Sequence, residues 1–133
     1  MIKGLAHVAY QVSDMEKSVA FYEKAFGFKK KFELHDDKDQ PWIVYLQVNE
    51  RAFIELFYAH NELKKDVNIS YQHLCLEVEN IKQIAHDLEQ KGFTLLHPVI
   101  LGKDYNYQCW IKDPDGNPIE LMEYGAKALQ LKK

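Results

Sequence analysis

The chain repeats itself. His7 and His73 stand 66 residues apart, Gly27 and Gly92 stand 65 apart, and so do Glu55 and Glu120. Three pairs of polar or special residues therefore stay in step across the two halves with a single one-residue slip. Chance apolar repetition does not keep such register, so one supersecondary unit is used twice.

Each copy opens with alternation, AHVAYQV over 6–12 and QHLCLEV over 72–78. Val8, Tyr10 and Val12, like Leu74, Leu76 and Val78, make one face of a half-buried strand. A helix follows. Ser13 with Glu16 has the spacing of a capping box, and Asn80 with Gln83 is its weaker analogue. Met15, Val19, Tyr22 and Phe26, then Ile81, Ile84, Ala85 and Leu88, lay an apolar stripe along each helix. Gly27 and Gly92 stand where a left-handed C-terminal cap is wanted. Three strand-like runs follow each glycine: FKKKFEL, WIVYLQV and AFIELFY, then FTLLHPV, YNYQCWI and PIELMEY.

The predicted fold class is α+β, two tandem βαβββ modules within one domain spanning 1–133. Module 1 covers about 1–58, a polar linker 59–71, module 2 about 72–124, and a frayed tail 125–133. HDDKDQP at 35–41 and DPDGNP at 113–118 read as turns. The length of 133 residues suits one domain, and 47% hydrophobic with 28% charged residues excludes a disordered or membrane-spanning chain. A formal net charge of -3 gives no basic footprint for nucleic acid, so a small-molecule partner is expected. Cys75 and Cys109 make no disulfide framework, and MIKGLAHVAYQV lacks the apolar core of a secretory signal, so a cytoplasmic location is expected.

Parity selects the residues that carry chemistry. With Val8, Tyr10 and Val12 turned to the helix, His7, Ala9 and Gln11 face the other way, as do His73, Cys75 and Glu77. Glu55 between Ile54 and Leu56, and Glu120 between Ile119 and Leu121, share that side. A lone strand histidine is ordinarily just a hydrogen-bonded residue, but the fourfold set repeated in register outweighs that reading. Two imidazoles and two carboxylates make a mixed N and O site for a borderline divalent ion. His35, His60, His86 and His97 share no register and read as solvated. Cys75 and Cys109 read as buried small residues, since the sequence shows no electropositive surroundings for a nucleophile, and the strand aromatics, among them Trp42, Tyr45 and Trp110, read first as packing. No GxSxG, P-loop or GxGxxG motif supports hydrolase or nucleotide chemistry.

The run His7-Val-Ala-Tyr-Gln-Val-Ser-Asp, with Ser18, Phe21, Tyr22 and Phe26-Gly27-Phe28, and the closing hairpin DPDGNPIEL at 113–121 resemble the vicinal oxygen chelate superfamily and, within it, the glyoxalase I (lactoylglutathione lyase) type. The resemblance spans roughly 1–124. It implies metal ligands at His7, Glu55, His73 and Glu120, and one divalent ion, Ni2+ or Zn2+ before Co2+, Mn2+ or Fe2+. It also implies a homodimer in which His7 and Glu55 of one copy join His73 and Glu120 of the other. The implied reaction is isomerisation of a 2-oxoaldehyde hemithioacetal through a metal-held enediolate, with Glu120 as the catalytic base. Gln11 and Ala59 stand where glutathione-using members carry an arginine and an asparagine, and Gln72 replaces a glycine before His73, so the thiol is left open. Alternatives are a sibling metalloenzyme, such as a thioester epimerase or an antibiotic-modifying enzyme, and a non-catalytic small-molecule binding protein.

Overall fold

Strand β1 (His7–Val12), helix α1 (Met15–Phe26) and strands β2 (Lys29–His35), β3 (Pro41–Gln47) and β4 (Phe53–Tyr58) make the first half in the computed structural model, which describes residues 4–63 and 72–132. The second half repeats the order as β5 (Leu74–Glu77), α2 (Ile81–Gln90), β6 (Ile100–Leu101), β7 (Tyr107–Lys112) and β8 (Pro118–Glu123), and closes on a 3-10 turn, Leu129–Leu131. The chain divides into two units, Met1–Val67 and Asn68–Lys133. That boundary falls inside the expected linker, of which 64–71 lie outside the described residues. Each unit holds one four-stranded sheet, ordered β1-β4-β3-β2 and β5-β8-β7-β6, so the predicted α+β class with two βαβββ modules is the observed one.

In each sheet the first strand pairs with the last, and this pair alone is parallel. A parallel pair needs a crossover, and the helix provides it by covering one face. In unit 1 the α1 residues Met15, Tyr22 and Ala25 are buried together with Val12, Val44, Leu46, Ile54 and Leu56 of the sheet. In unit 2 the counterparts are Ile81, Ala85 and Leu88 of α2 with Cys109, Ile111, Ile119 and Leu121. Each large apolar side chain so enclosed contributes about 1.5–3 kcal/mol, and together they fix which face of each sheet turns outward.

The helix ends depart from the sequence reading by one residue or one partner. Asp14, not Ser13, caps α1: its carboxylate accepts from the Lys17 N–H at 3.0 Å. Asn80 does precede α2 but sits in a left-handed conformation and makes no side-chain cap. The Glu123 carboxylate, at the end of β8, accepts the Ile81 N–H at 2.7 Å instead. Gly27 is the left-handed cap expected after α1, with φ 74°, a conformation that costs a residue bearing Cβ. After α2 the cap is Lys91, and the left-handed Gly92 follows it.

Two further expectations are corrected. FTLLHPV at 93–99 is not a strand; pairing with β7 is confined to Ile100–Leu101 and one isolated bond, Leu96 N–H to the Trp110 carbonyl. Pro98 has no N–H to give a ladder, and His97 Nδ1 is spent on the Pro98 carbonyl at 2.8 Å. Nor is the tail frayed over its described length. Ala128 is buried, the Leu129 N–H donates to the Asp104 carbonyl, and the Gln130 amide bonds Asp104 and Asn106 at 2.9 Å each. Asn106, wholly buried, also donates to Asp104 at 2.8 Å and accepts from the Gly125 N–H. A Cβ at Gly125 would lie 2.1 Å from the Tyr105 carbonyl oxygen, so only glycine lets the tail approach that loop.

Asn106→Ala removes a bond from each of Asp104 and Gln130, which keep each other, and leaves the Gly125 N–H without its acceptor; it is expected to cost about 1–2 kcal/mol, read as a lower urea midpoint with unchanged slope. Ser18 makes the opposite case: its buried hydroxyl has no hydrogen-bond partner among the described residues. Ser18→Ala is expected to raise stability by about 1 kcal/mol, and a fall in the midpoint would contradict this.

Candidate functional site

The parallel pairing of first and last strands brings distant sequence together. On β1 and β4, Ala9 stands opposite Glu55 with His7 two residues before Ala9, so His7 and Glu55 share a face. His7 Nδ1 lies 3.3 Å from Glu55 Oε1. On β5 and β8, Cys75 stands opposite Glu120, and His73, just ahead of β5, brings its Nε2 to 3.1 Å from Glu120 Oε2. The imidazole side chains are 50% and 36% exposed, the carboxylates only 8% and 12%. Each carboxylate thus forms a floor from which an imidazole reaches outward.

The hairpins that deliver the glutamates are held by side chains. Before β8, Asp113 accepts from the Asp115 and Asn117 N–H groups at 2.9 and 2.8 Å and from the Asn117 amide at 2.8 Å. Before β4, Asn49 accepts from the Arg51 and Ala52 N–H groups at 2.9 and 3.0 Å. These closures set the register that turns Glu55 and Glu120 away from the helices.

The donor geometry fits a metal. Ligands about 2.1 Å from one ion lie about 3.0 Å apart at a right angle and about 3.4 Å apart at the tetrahedral angle. The two His–Glu separations fall in that interval. Among the described residues no set of three or more His, Cys, Asp or Glu side chains is gathered to hold an ion. Each unit instead presents one His–Glu pair, and the four residues predicted as ligands are brought together two by two.

The strand next to each glutamate adds a residue that sequence reasoning assigned to packing. Tyr45 is the cross-strand partner of Glu55, and its hydroxyl donates to that carboxylate; this bond, with burial, raises the phenol pKa. Trp110 is the cross-strand partner of Glu120. Its N–H donates to Gln108 at 2.7 Å rather than to the carboxylate, and its ring meets His73 edge-on at 4.7 Å. The signal was present in the repeat, because Tyr45 and Trp110 are separated by the same 65 residues as Glu55 and Glu120. Cys75 is the other difference, standing where unit 1 has Ala9. Cys75 is exposed, not the buried small residue expected, because its strand turns it to the face away from the helix; desolvation, then the charge of Glu120 and a hydrogen bond to it, push its thiol up to about 12, which disfavours the thiolate.

Gln11 is exposed and helps to line a cavity of about 310 Å³ with His60, Asn61, Glu62 and Leu63. Of the histidines outside the site, His35 is the one ion-paired among the described residues. Its Nδ1 lies 2.9 Å from Asp39 Oδ1, and that bond, with the nearby Glu33, raises its pKa. A raised folded-state value means the pairing favours the fold while the ring is charged and is lost as pH rises through that value. Asp39→Asn is expected to lower the His35 midpoint followed by NMR; an unchanged midpoint would contradict the pairing.

Comparison with known proteins shows the family and the fold. A model of the glyoxalase/bleomycin resistance protein/dioxygenase superfamily matches residues 4–121. A lactoylglutathione lyase of Escherichia coli O157:H7 is 30% identical over 129 residues, covering 90% of this chain and 91% of its own. A probable chloroplastic lactoylglutathione lyase of Arabidopsis thaliana is 28% identical, and the chain spans 36% of its length; for a second Arabidopsis relative the share is 44%. The crystal structure of a glyoxalase family protein from Enterococcus faecalis superposes with a TM-score of 0.78 at 25% identity, covering 91% of this chain and 98% of that one. No helix among the described residues is long and apolar enough to cross a membrane.

Proposed function

The chain belongs to the glyoxalase/bleomycin resistance protein/dioxygenase superfamily, and on that premise we propose that it is a metal-dependent lyase of the glyoxalase I type, isomerising the hemithioacetal of a 2-oxoaldehyde and a thiol. The observation that carries this reading is the His–Glu pair found in the same register in both units. Relatives named lactoylglutathione lyase at 28–30% identity support it.

His7, Glu55, His73 and Glu120 would together hold one divalent ion, Ni2+ or Zn2+, and Co2+, Mn2+ or Fe2+ also suit this donor set. A homodimer assembles the site by joining His7 and Glu55 of one copy to His73 and Glu120 of the other. When bound, the ion polarises the two oxygens of the substrate as a Lewis acid. Glu120 removes the proton from the carbon that bears sulfur and returns it to the neighbouring carbon, so that a hydroxyketone becomes a hydroxy thioester with no net change in atoms. Glu55, buried and bonded by Tyr45, stays a ligand. An intact Glu55 also separates this reading from sibling dioxygenases and antibiotic-modifying enzymes, which use two histidines and one glutamate. The two free cysteines suit a reducing cytoplasm.

His73→Ala is expected to lose bound divalent metal and lyase activity together, while parental metal content measured by elemental analysis would refute the assignment. The grip on the thiol is a separate question. Gln11 offers no charged fork for a carboxylate, and a bidentate arginine contact contributes about 1.5–3 kcal/mol, or about tenfold to a hundredfold in affinity. Gln11→Arg is therefore expected to improve kcat/KM for the glutathione–methylglyoxal adduct chiefly through KM. A parent enzyme already working at about 10^5 M⁻¹s⁻¹ or more on that adduct would contradict the weak grip.

A further inference from the structure

The two half-sites are the same design with one substitution that matters. At the position across from the glutamate, unit 1 carries a phenol bonded to the carboxylate, whereas unit 2 carries an indole whose N–H is committed to Gln108. The partners of Glu55 are the His7 ring and a strong oxygen donor, Tyr45. Those of Glu120 are the His73 ring and the thiol of Cys75, a weak donor. Phe32 stacks on Tyr45 with ring centroids 4.2 Å apart, and Phe53 meets it edge-on at 6.4 Å, so the phenol is braced from two sides. Trp110 braces the His73 ring instead and leaves the carboxylate alone.

We propose that Tyr45 is a positioning residue that locks Glu55 as a static metal ligand, and that Trp110 in the equivalent place leaves Glu120 free to leave the ion and carry the proton. The division of labour between two carboxylates of equal type and register is set by the residue at one cross-strand position. Phenol or indole there makes the glutamate a clamp or a base. This inference rests on the metal-site reading above and adds to it a cause for the asymmetry.

The test measures Zn2+ affinity, by competition with a chromophoric chelator, alongside steady-state turnover of the glutathione–methylglyoxal adduct. Tyr45→Phe removes the hydroxyl and keeps the ring, and is expected to weaken Zn2+ binding by tenfold to a hundredfold, the usual cost of losing a partner of a metal ligand. Phe32→Leu removes the stacking but keeps the hydroxyl, and is expected to leave Zn2+ affinity within about twofold. Trp110→Tyr installs a second clamp and is expected to lower kcat at least tenfold with KM and Zn2+ affinity maintained, a split that loss of packing alone would not produce. Should Tyr45→Phe fail to fold, Trp110→Tyr still decides. Parental Zn2+ affinity in Tyr45→Phe, or parental kcat in Trp110→Tyr, overturns the inference while leaving the metal reading in place. A parent protein that binds no Zn2+ or Ni2+ overturns both.

Discussion

Everything about the candidate site depends on one pairing, the parallel contact of the first and last strands within each unit. Without it His7 and Glu55, or His73 and Glu120, are remote in sequence and have no reason to meet. The pairing exists because the helix covers one face of the sheet and lets the chain return in the same direction. Burial then fixes parity: a one-residue slip of β4 would expose Ile54 and Leu56 and drive Glu55 into the apolar layer against α1. The apolar cost of such a slip, about 25 cal/mol per Å² of surface returned to water, added to the cost of an unpaired buried carboxylate, holds the register. The polar residues of the candidate site are thus the ones that the core turns to the other face of the sheet.

The repeat makes the site and also breaks its symmetry. Matching positions carry Ala9 and Cys75, and Tyr45 and Trp110, around the matched His–Glu pairs. Each change alters how a carboxylate is held rather than whether it is present. A duplicated unit starts with two equal His–Glu pairs, and the proposed reaction, with one fixed ligand and one mobile base, requires them to be unequal. The cheapest place to do so is the strand beside the glutamate, where a side chain touches the carboxylate without bearing on the core.

Most of this was legible in the sequence, for identifiable reasons. Period-two alternation locates β1, β5, β4 and β8 and the face shared by His7, Glu55, His73 and Glu120, because the apolar layer against each helix takes every second residue of those strands. Local patterns failed where a distant group decided the outcome. The cap of α2 is a carboxylate from β8, Glu123, which no window around Asn80 contains. The tail is pinned through Asn106, whose partners at 104, 125 and 130 are joined by hydrogen bonds with no periodic signature. The strand expected at 93–99 is stopped by Pro98, a signal that the apolar character of FTLLHPV masked. Tyr45 reads as a packing aromatic in sequence, because its hydroxyl matters only once the cross-strand register is known.

The proposed function requires the His–Glu pairs of two copies to serve one ion together rather than each pair to hold its own. The ratio of tightly bound metal to protein, measured by elemental analysis after the protein is loaded with Zn2+ and dialysed, tests this most directly. One ion per chain is the predicted result, since four donors drawn from two units serve each ion. Two ions per chain would mean that each His–Glu pair acts alone, and none would mean that the pairs are hydrogen bonds and nothing more.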